Sequence, residues 1–129
     1  MAVDRNEQRQ VVDRFVAAVT TGDLQSLMDV LAPDAVLIAD GGGVVQAVRQ
    51  PVVGAKKIGN LMRSFPKLAP TGVFEPTVIN GAPGVRLVID GQVDTVVAFA
   101  FEGGLISRIF TVRNPHKLGH IAEEIALSR

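Results

Sequence analysis

The sequence predicts an α+β domain in which a strongly curved antiparallel sheet packs on helices gathered to one side. Three observations carry this. Apolar residues recur at helical spacing in the first third of the chain and again over residues 55–67. The pairs Asn80-Gly81, Asp90-Gly91 and Gly103-Gly104 punctuate strand-like stretches downstream, as two-residue hairpin turns do. The resulting order is helix, helix, hairpin, helix, four-stranded meander, helix, which segregates helices from strands instead of alternating them.

The elements follow in order. Asp4-Arg5-Asn6-Glu7 has capping-box spacing, and Val11, Val12, Phe15, Val16 and Val19 form the stripe of a first helix that Gly22 ends. Asp23 caps a second helix with Leu24, Leu27, Met28 and Leu31 at i, i+3, i+4 and i+7, closed by Pro33. A strand over 35–40 leads through the Gly41-Gly42-Gly43 turn into a short strand holding Val44, Val45, Ala47 and Val48, which Pro51 and Gly54 break. A third helix over 55–67 turns Ile58, Leu61, Met62 and Phe65 inward. Strands over about 73–79, 84–90, 92–102 and 105–113 run antiparallel because their turns are short. Asn114 and Pro115 suit the N-cap and first position of a last helix, with Leu118, Ile121 and Ile125 inward. A sheet curved around the third helix makes a cone with a pocket.

The chain has 129 residues, enough for one domain over 1–129, and its 47% hydrophobic content excludes disorder. With six Phe and neither Trp nor Tyr, the core is built mainly of aliphatic residues. The absence of cysteine excludes disulfides, thiolate zinc sites and a cysteine nucleophile. No apolar run reaches the length of a membrane span and the amino terminus is not signal-like, so the expectation is a cytoplasmic protein with no membrane partner. The balanced net charge hides a basic block. Residues 41–74 hold Arg49, Lys56, Lys57, Arg63 and Lys67 and no acid. That is less than a nucleic-acid-binding domain would carry.

Two stretches, "ADGGGVV" after the first strand and "TVRNPHKL" after the last, resemble motifs of the SnoaL-like domain at the carboxyl end of extracytoplasmic-function RNA polymerase sigma factors. The family pattern is close to D-G-G-G-K-V and N-P-D-K-L. The opening "RFVAAVTTGDLQSLMDVLAPDAVLIADGGG" is similar to the family's start, so the likeness covers nearly the whole chain. It departs at Val44, where the family has Lys, and at His116, where the family has Asp. The resemblance implies an NTF2-like cone and a regulatory role, modulating sigma-factor activity in transcription initiation through protein contacts. It implies sigma-factor core regions and RNA polymerase as partners, DNA reached only through the sigma regions, and a homodimer through the sheet. The pocket of such a cone admits a small apolar ligand. The DNA-binding sigma regions are not in this chain, as expected of an excised domain or a free-standing relative.

Several residues have both a chemical and a plainer reading. Asp40 shares a strand face with Val36 and Ile38, where a pocket carboxylate would serve as a general base. It equally opens the glycine turn by accepting amide hydrogen bonds. Asp94 lies by alternation with Val96, Ala98 and Ala100, opposite Val93, Val97, Phe99 and Phe101, and that small-residue face could border a cavity. An enzyme of the cyclase or isomerase type would use Asp40 or Asp94 as base and Arg108 as oxyanion partner. No Tyr is present and both His lie in the final stretch, so the regulator is the preferred reading and no cofactor is expected. His116 and His120, with Glu123 or Glu124 a turn on, have metal-ligand spacing, but two ligands on an exposed helix do not make a site, and no metal is expected.

The expected partner-contact surface combines three pieces. Lys56, Asn60, Arg63 and Lys67 share the outer face of the third helix at i, i+4, i+7 and i+11. Asp40 with Gly41, Gly42 and Gly43 supplies a second piece, and Asn114, Pro115, His116, Lys117 and Leu118 a third. His116 and Lys117 would sit in a first helical turn, where cations oppose the helix dipole. Local stability does not favour them there, which points to a contact.

Overall fold

The computed structural model of the protein describes residues 5–40 and 51–113. The capping box at Asp4, the strand over 44–48 and everything from Asn114 onward lie outside these residues. Helix α1 spans Arg5–Thr21 and buries Val12, Phe15 and Val19 of the predicted stripe together with Ala18, while Val11 and Val16 are half-buried at its edge. Gly22, at φ 71°, ends it in a Schellman arrangement: its N–H donates to the Val19 carbonyl and the Asp23 N–H to that of Ala18. Asp23 is at once the exit of α1 and the N-cap of α2 (Leu24–Val30). Its carboxylate accepts from the Ser26 N–H at 3.3 Å and the Ser26 hydroxyl at 2.8 Å.

Leu31 does not continue α2. It is extended and opens β1 (Leu31–Asp40), because Pro33 pushes the residues ahead of it away from helical geometry. Pro33 itself falls in the interruption between Leu31 and Val36 where the β1 ladder skips, so its missing N–H breaks no regular pairing. Among the described residues the antiparallel neighbour of β1 is β2 (Val52–Val53), in a place where the sequence reading expected only a break between Pro51 and Gly54.

The single helix expected over 55–67 is two. Helix α3 covers Ala55–Met62 and the short α4 covers Phe65–Leu68. Pro66 is the reason: inside one continuous helix it would lack the amide and press its ring on the carbonyl four residues back. In the first turn of α4 neither cost applies. Ile58 is fully buried, but Leu61 is 39% exposed, which corrects its assignment to the packed core.

The strands β3 (Gly72–Ile79), β4 (Ala82–Ile89), β5 (Gln92–Glu102) and β6 (Leu105–Arg113) form the expected meander. All three connecting turns have both central residues at positive φ: Asn80 and Gly81, Asp90 and Gly91, Gly103 and Gly104. That is the backbone twist two-residue hairpins need. Among the described residues six strands form one sheet in the order β2-β1-β6-β5-β4-β3. The sheet is mixed, because β1 lies parallel to β6, with Val36 opposite Arg108 and Asp40 opposite Val112. No short turn joins those two strands, so turn chemistry could not reveal their direction. Register breaks between Leu87 and Val88 on β4 and between Ala100 and Phe101 on β5 mark bulges, which bend and twist the sheet around the helices. The core lies in the hollow so formed. Phe15 of α1 meets Phe99 of β5 edge-on at 5.3 Å, and Leu27, Ile58, Ile106 and Ile109 are fully enclosed with them.

Candidate functional site

The hollow is not filled to its end. Beyond the Phe15–Phe99 contact, a cavity of about 340 Å³ remains between the sheet and the α3–α4 segment. The sheet contributes inward side chains such as Leu37, Leu87 and Val97, with Phe15 of α1 as a floor. The opposite wall is Leu61 and Met62 at the end of α3 and Phe65 and Leu68 of α4. Phe65 also meets Phe74 of β3, ring centres 5.2 Å apart, which ties this wall to the sheet edge. The α3–α4 wall is the thinner one. No residue of α4 is fully buried, and Leu68 is 75% exposed although it borders the cavity.

Three polar residues border this apolar space, namely Asp94, Thr95 and Thr111. Asp94 is 7% exposed and accepts a hydrogen bond from the Thr95 hydroxyl at 2.7 Å. Its position comes from the β4–β5 bulge. Leu87 pairs with Thr95 and Val88 with Val93, so Asp94 is the extra residue on β5. Strict alternation would set Asp94 with Val96, Ala98 and Ala100, as the sequence predicts. The bulge instead places it at the cavity beside Thr95 and Val97, while Val96, Ala98 and Ala100 stay off its lining. The expectation that Asp94 borders a cavity is met, through a different face from the one foreseen.

Of the other two residues predicted for a catalytic site, the described side chain, Arg108, does not join Asp94 at the cavity. Arg108 is exposed on β6, between Ala100 of β5 and Val36 of β1, and does not border the cavity. Asp40 ends β1 next to Ala39, which does border it, but the Asp40 side chain is outside the described residues. Among the described residues Asp94 is the one titratable side chain on the lining. No cluster of three metal-ligating side chains occurs among the described residues, and His116 and His120 lie outside them, as do Gly41–Gly43 and Asn114–Leu118. Thr95 and Thr111 escaped the sequence reading. The one hint was an aspartate inside an otherwise strand-forming run, where that residue type is disfavoured.

The basic residues lie on the outside of the same wall. Lys56, Asn60, Arg63 and Lys67 are all exposed, Lys56 and Asn60 on α3, Arg63 at its C-cap and Lys67 on α4. They do not share one continuous helix as the sequence reading had it, because Pro66 intervenes. Lys56 and Lys57 fall in the first turn of α3 with no acid to balance them, against the helix dipole. Arg63 is held firmly at its backbone: its N–H donates to the Gly59 carbonyl at 2.9 Å. Its own carbonyl is placed so that a Cβ on Gly22 would come within 3.0 Å of it.

No protein-family model matches the sequence. It is 29% identical over 126 residues to the probable ECF RNA polymerase sigma factor SigI of Mycobacterium tuberculosis, covering 96% of this chain and 41% of that protein. The chain thus spans about two fifths of the length of the curated relative it matches. Its fold superposes on the crystal structure of the extracytoplasmic function sigma factor SigJ of the same organism with a TM-score of 0.68 at 21% identity, over 87% of this chain and 44% of that one. A SnoaL-like protein of unknown function from Burkholderia thailandensis matches with a TM-score of 0.67 at 14% identity, over 88% of this chain and 99% of that one. Among the described residues no helix is long and apolar enough to cross a membrane. The chain is homologous over most of its length to a part of the sigma factors SigI and SigJ, and its fold is the SnoaL-like, NTF2-like α+β cone.

Proposed function

We propose that this chain is a regulatory domain of sigma-factor type, acting in the cytoplasm on transcription initiation through protein contacts. The observation that carries this is the similarity to a sigma factor across 96% of the chain. The surface we assign to the contact is the basic outer side of α3–α4, with Lys56, Arg63 and Lys67, together with the Gly41–Gly43 and Asn114–Leu118 motifs. An acidic surface of the sigma core regions, within RNA polymerase, would complement it. Clustered charge makes such docking fast and salt-sensitive. Few cations without stacking aromatics would hold DNA only weakly, so DNA enters through the sigma regions. The test is a Lys56→Glu, Arg63→Glu double variant, measured by surface plasmon resonance at two ionic strengths. The partner is the portion of the SigI relative that this chain does not match. Both side chains are exposed, so the melting temperature should stay nearly unchanged, while binding weakens about tenfold, equivalent to about 1.4 kcal/mol. Unchanged binding would reduce the basic face to ordinary surface.

A second reading is favoured by the cavity itself, a mainly apolar space of about 340 Å³ with one buried carboxylate. A sensor needs only such a pocket, whereas a cyclase or isomerase needs a second titratable group facing Asp94. Among the described residues Asp94 is the one titratable side chain on the lining, and the Thr95 hydroxyl donates to it. The cavity therefore supports ligand sensing ahead of acid–base catalysis.

A further inference from the structure

We infer that Leu68 is the apolar anchor of the contact with the sigma regions, and that the partner surface it fits is an apolar hollow rimmed by acidic side chains. This rests on the regulatory reading of the chain and adds to the basic face the residue that holds the complex once charge has brought it together.

The anchor follows from exposure. Leu68 is 75% exposed, the most exposed large hydrophobic side chain among the described residues. The others that are more than half exposed are valines, Val53 of β2 and Val73 and Val78 of β3. Trp and Tyr, the usual apolar anchors of protein contacts, do not occur in the chain, and all six Phe are buried or half-buried. The part therefore falls to an aliphatic side chain. Leu68 stands on α4 directly after Lys67, within the stretch 41–74 that holds five basic residues and no acid. An apolar centre inside a charged rim is how protein contacts are commonly built, and its complement is an apolar hollow inside a rim of opposite sign. Most of the Leu68 surface is still in water, so covering it contributes more than an exposed ion pair does.

The anchor is also held ready. Helix α4 is a single turn bracketed by prolines, with Pro66 in the turn itself and Pro70 two residues beyond Leu68, and each fixes its backbone angle. Phe65 ties the turn to the sheet through Phe74, ring centres 5.2 Å apart, and the Leu68 amide donates to the Ser64 carbonyl at 3.2 Å. Backbone ordered before binding loses little freedom on binding, which leaves more of the burial of Leu68 as affinity. The cations act differently. A charged rim speeds the encounter and fades with salt, whereas a desolvated anchor sets how long the complex lasts. The two parts of the surface are therefore separable by kinetics.

The experiment measures association and dissociation of the whole chain by surface plasmon resonance at two ionic strengths. The probe is the portion of the SigI relative that this chain does not match. Leu68→Ala should raise the dissociation rate about tenfold at both ionic strengths and change the association rate less than about twofold. Leu68→Met keeps the apolar volume and should stay within about twofold of wild type. The Lys56→Glu, Arg63→Glu double variant should mainly slow association, and less so at high salt. Leu68 is mostly exposed, so both of its variants should melt with wild type, and a change in binding is then not a change in fold. Wild-type dissociation in Leu68→Ala, or a loss in Leu68→Met as large as in Leu68→Ala, would overturn the inference while leaving the basic contact in place. A Leu68→Ala effect confined to association would overturn it as well. If wild type does not bind the probe, the inference and the regulatory reading fall together.

Discussion

Ile58 and Leu61 lie three residues apart on the inward stripe of α3, and from periodicity alone their truncation should cost the same. The structure separates them. Ile58 is 0% exposed and packed among α2, β1 and the core, whereas Leu61 is 39% exposed at the cavity mouth. Ile58→Ala removes three methyl(ene) groups from a site that cannot collapse, for a transfer-plus-cavity cost of about 3–4 kcal/mol. Leu61→Ala leaves a gap that already opens on an unfilled space, so there is little new cavity, and part of the side chain was never out of water. Its cost should be about 1 kcal/mol. Leu61→Asp, which a core assignment would price at several kcal/mol, should stay below about 2 kcal/mol because its carboxylate can reach solvent at the mouth. Urea unfolding followed by circular dichroism gives each free energy from the midpoint and slope. If Leu61→Ala proves as costly as Ile58→Ala, the cavity is closed and packed, and both the site and its ligand fail with it.

Two further outcomes follow from local geometry. The Asp23 carboxyl is held below its ordinary value of 3.8, first by the Ser26 hydroxyl and then by the Ser26 amide. A depressed folded-state pKa contributes stability above the unfolded value that is lost as pH falls through the folded one. The melting temperature of wild type should therefore exceed that of Asp23→Asn at neutral pH, and the gap should close in a series of melts taken below about pH 3.8. Gly81 sits at φ 79° in the Asn80-Gly81 turn, with open room beyond a 3.6 Å approach to the Arg5 guanidinium, so the cost of Gly81→Ala is that of the backbone. It should be about 1–2 kcal/mol in chemical denaturation, and an unchanged midpoint would mean that the turn is not of the twisted type described.

How far the sequence could be read is uneven for physical reasons. The meander was legible almost to the residue, since Asn80-Gly81, Asp90-Gly91 and Gly103-Gly104 each encode a local backbone twist that no tertiary contact needs to supply. Gly22 and Asp23 were legible for the same reason. Pro66 was equally visible, yet the apolar stripe through Phe65 was followed across it, where the missing amide should have ended the helix. Leu31 fits the α2 spacing and still leaves the helix, because Pro33 outweighs periodicity. The parallel pairing of β1 with β6 had no local signal at all. The site was half legible. Asp94 was singled out, but alternation assigned it to the wrong face, since a bulge depends on how β4 pairs with β5 and not on the β5 sequence alone. The resemblance to sigma factors, by contrast, was read from the opening stretch over 14–43 and from two short motifs, "ADGGGVV" and "TVRNPHKL", that lie largely outside the described residues.

The parallel ladder between β1 and β6 has a consequence for how the domain comes into being. Val36 finds its β6 neighbour at Arg108, so the two halves of this ladder leave the ribosome well apart in time. At about 5–20 residues per second the interval is roughly 4–15 s. Through that interval the α1–α2 hairpin and β1 exist without the strand that flanks β1, and Leu27 and Ile58 have no Ile106 or Ile109 to close over them. The hairpins of the meander can form one after another as each turn emerges, but they have nothing to curl onto until β6 docks. Long-range pairing of this kind slows folding and leaves apolar edges open meanwhile. A nascent chain halted before β6 should therefore be protease-sensitive throughout, helices included, and gain protection in a single step once β6 has cleared the exit tunnel.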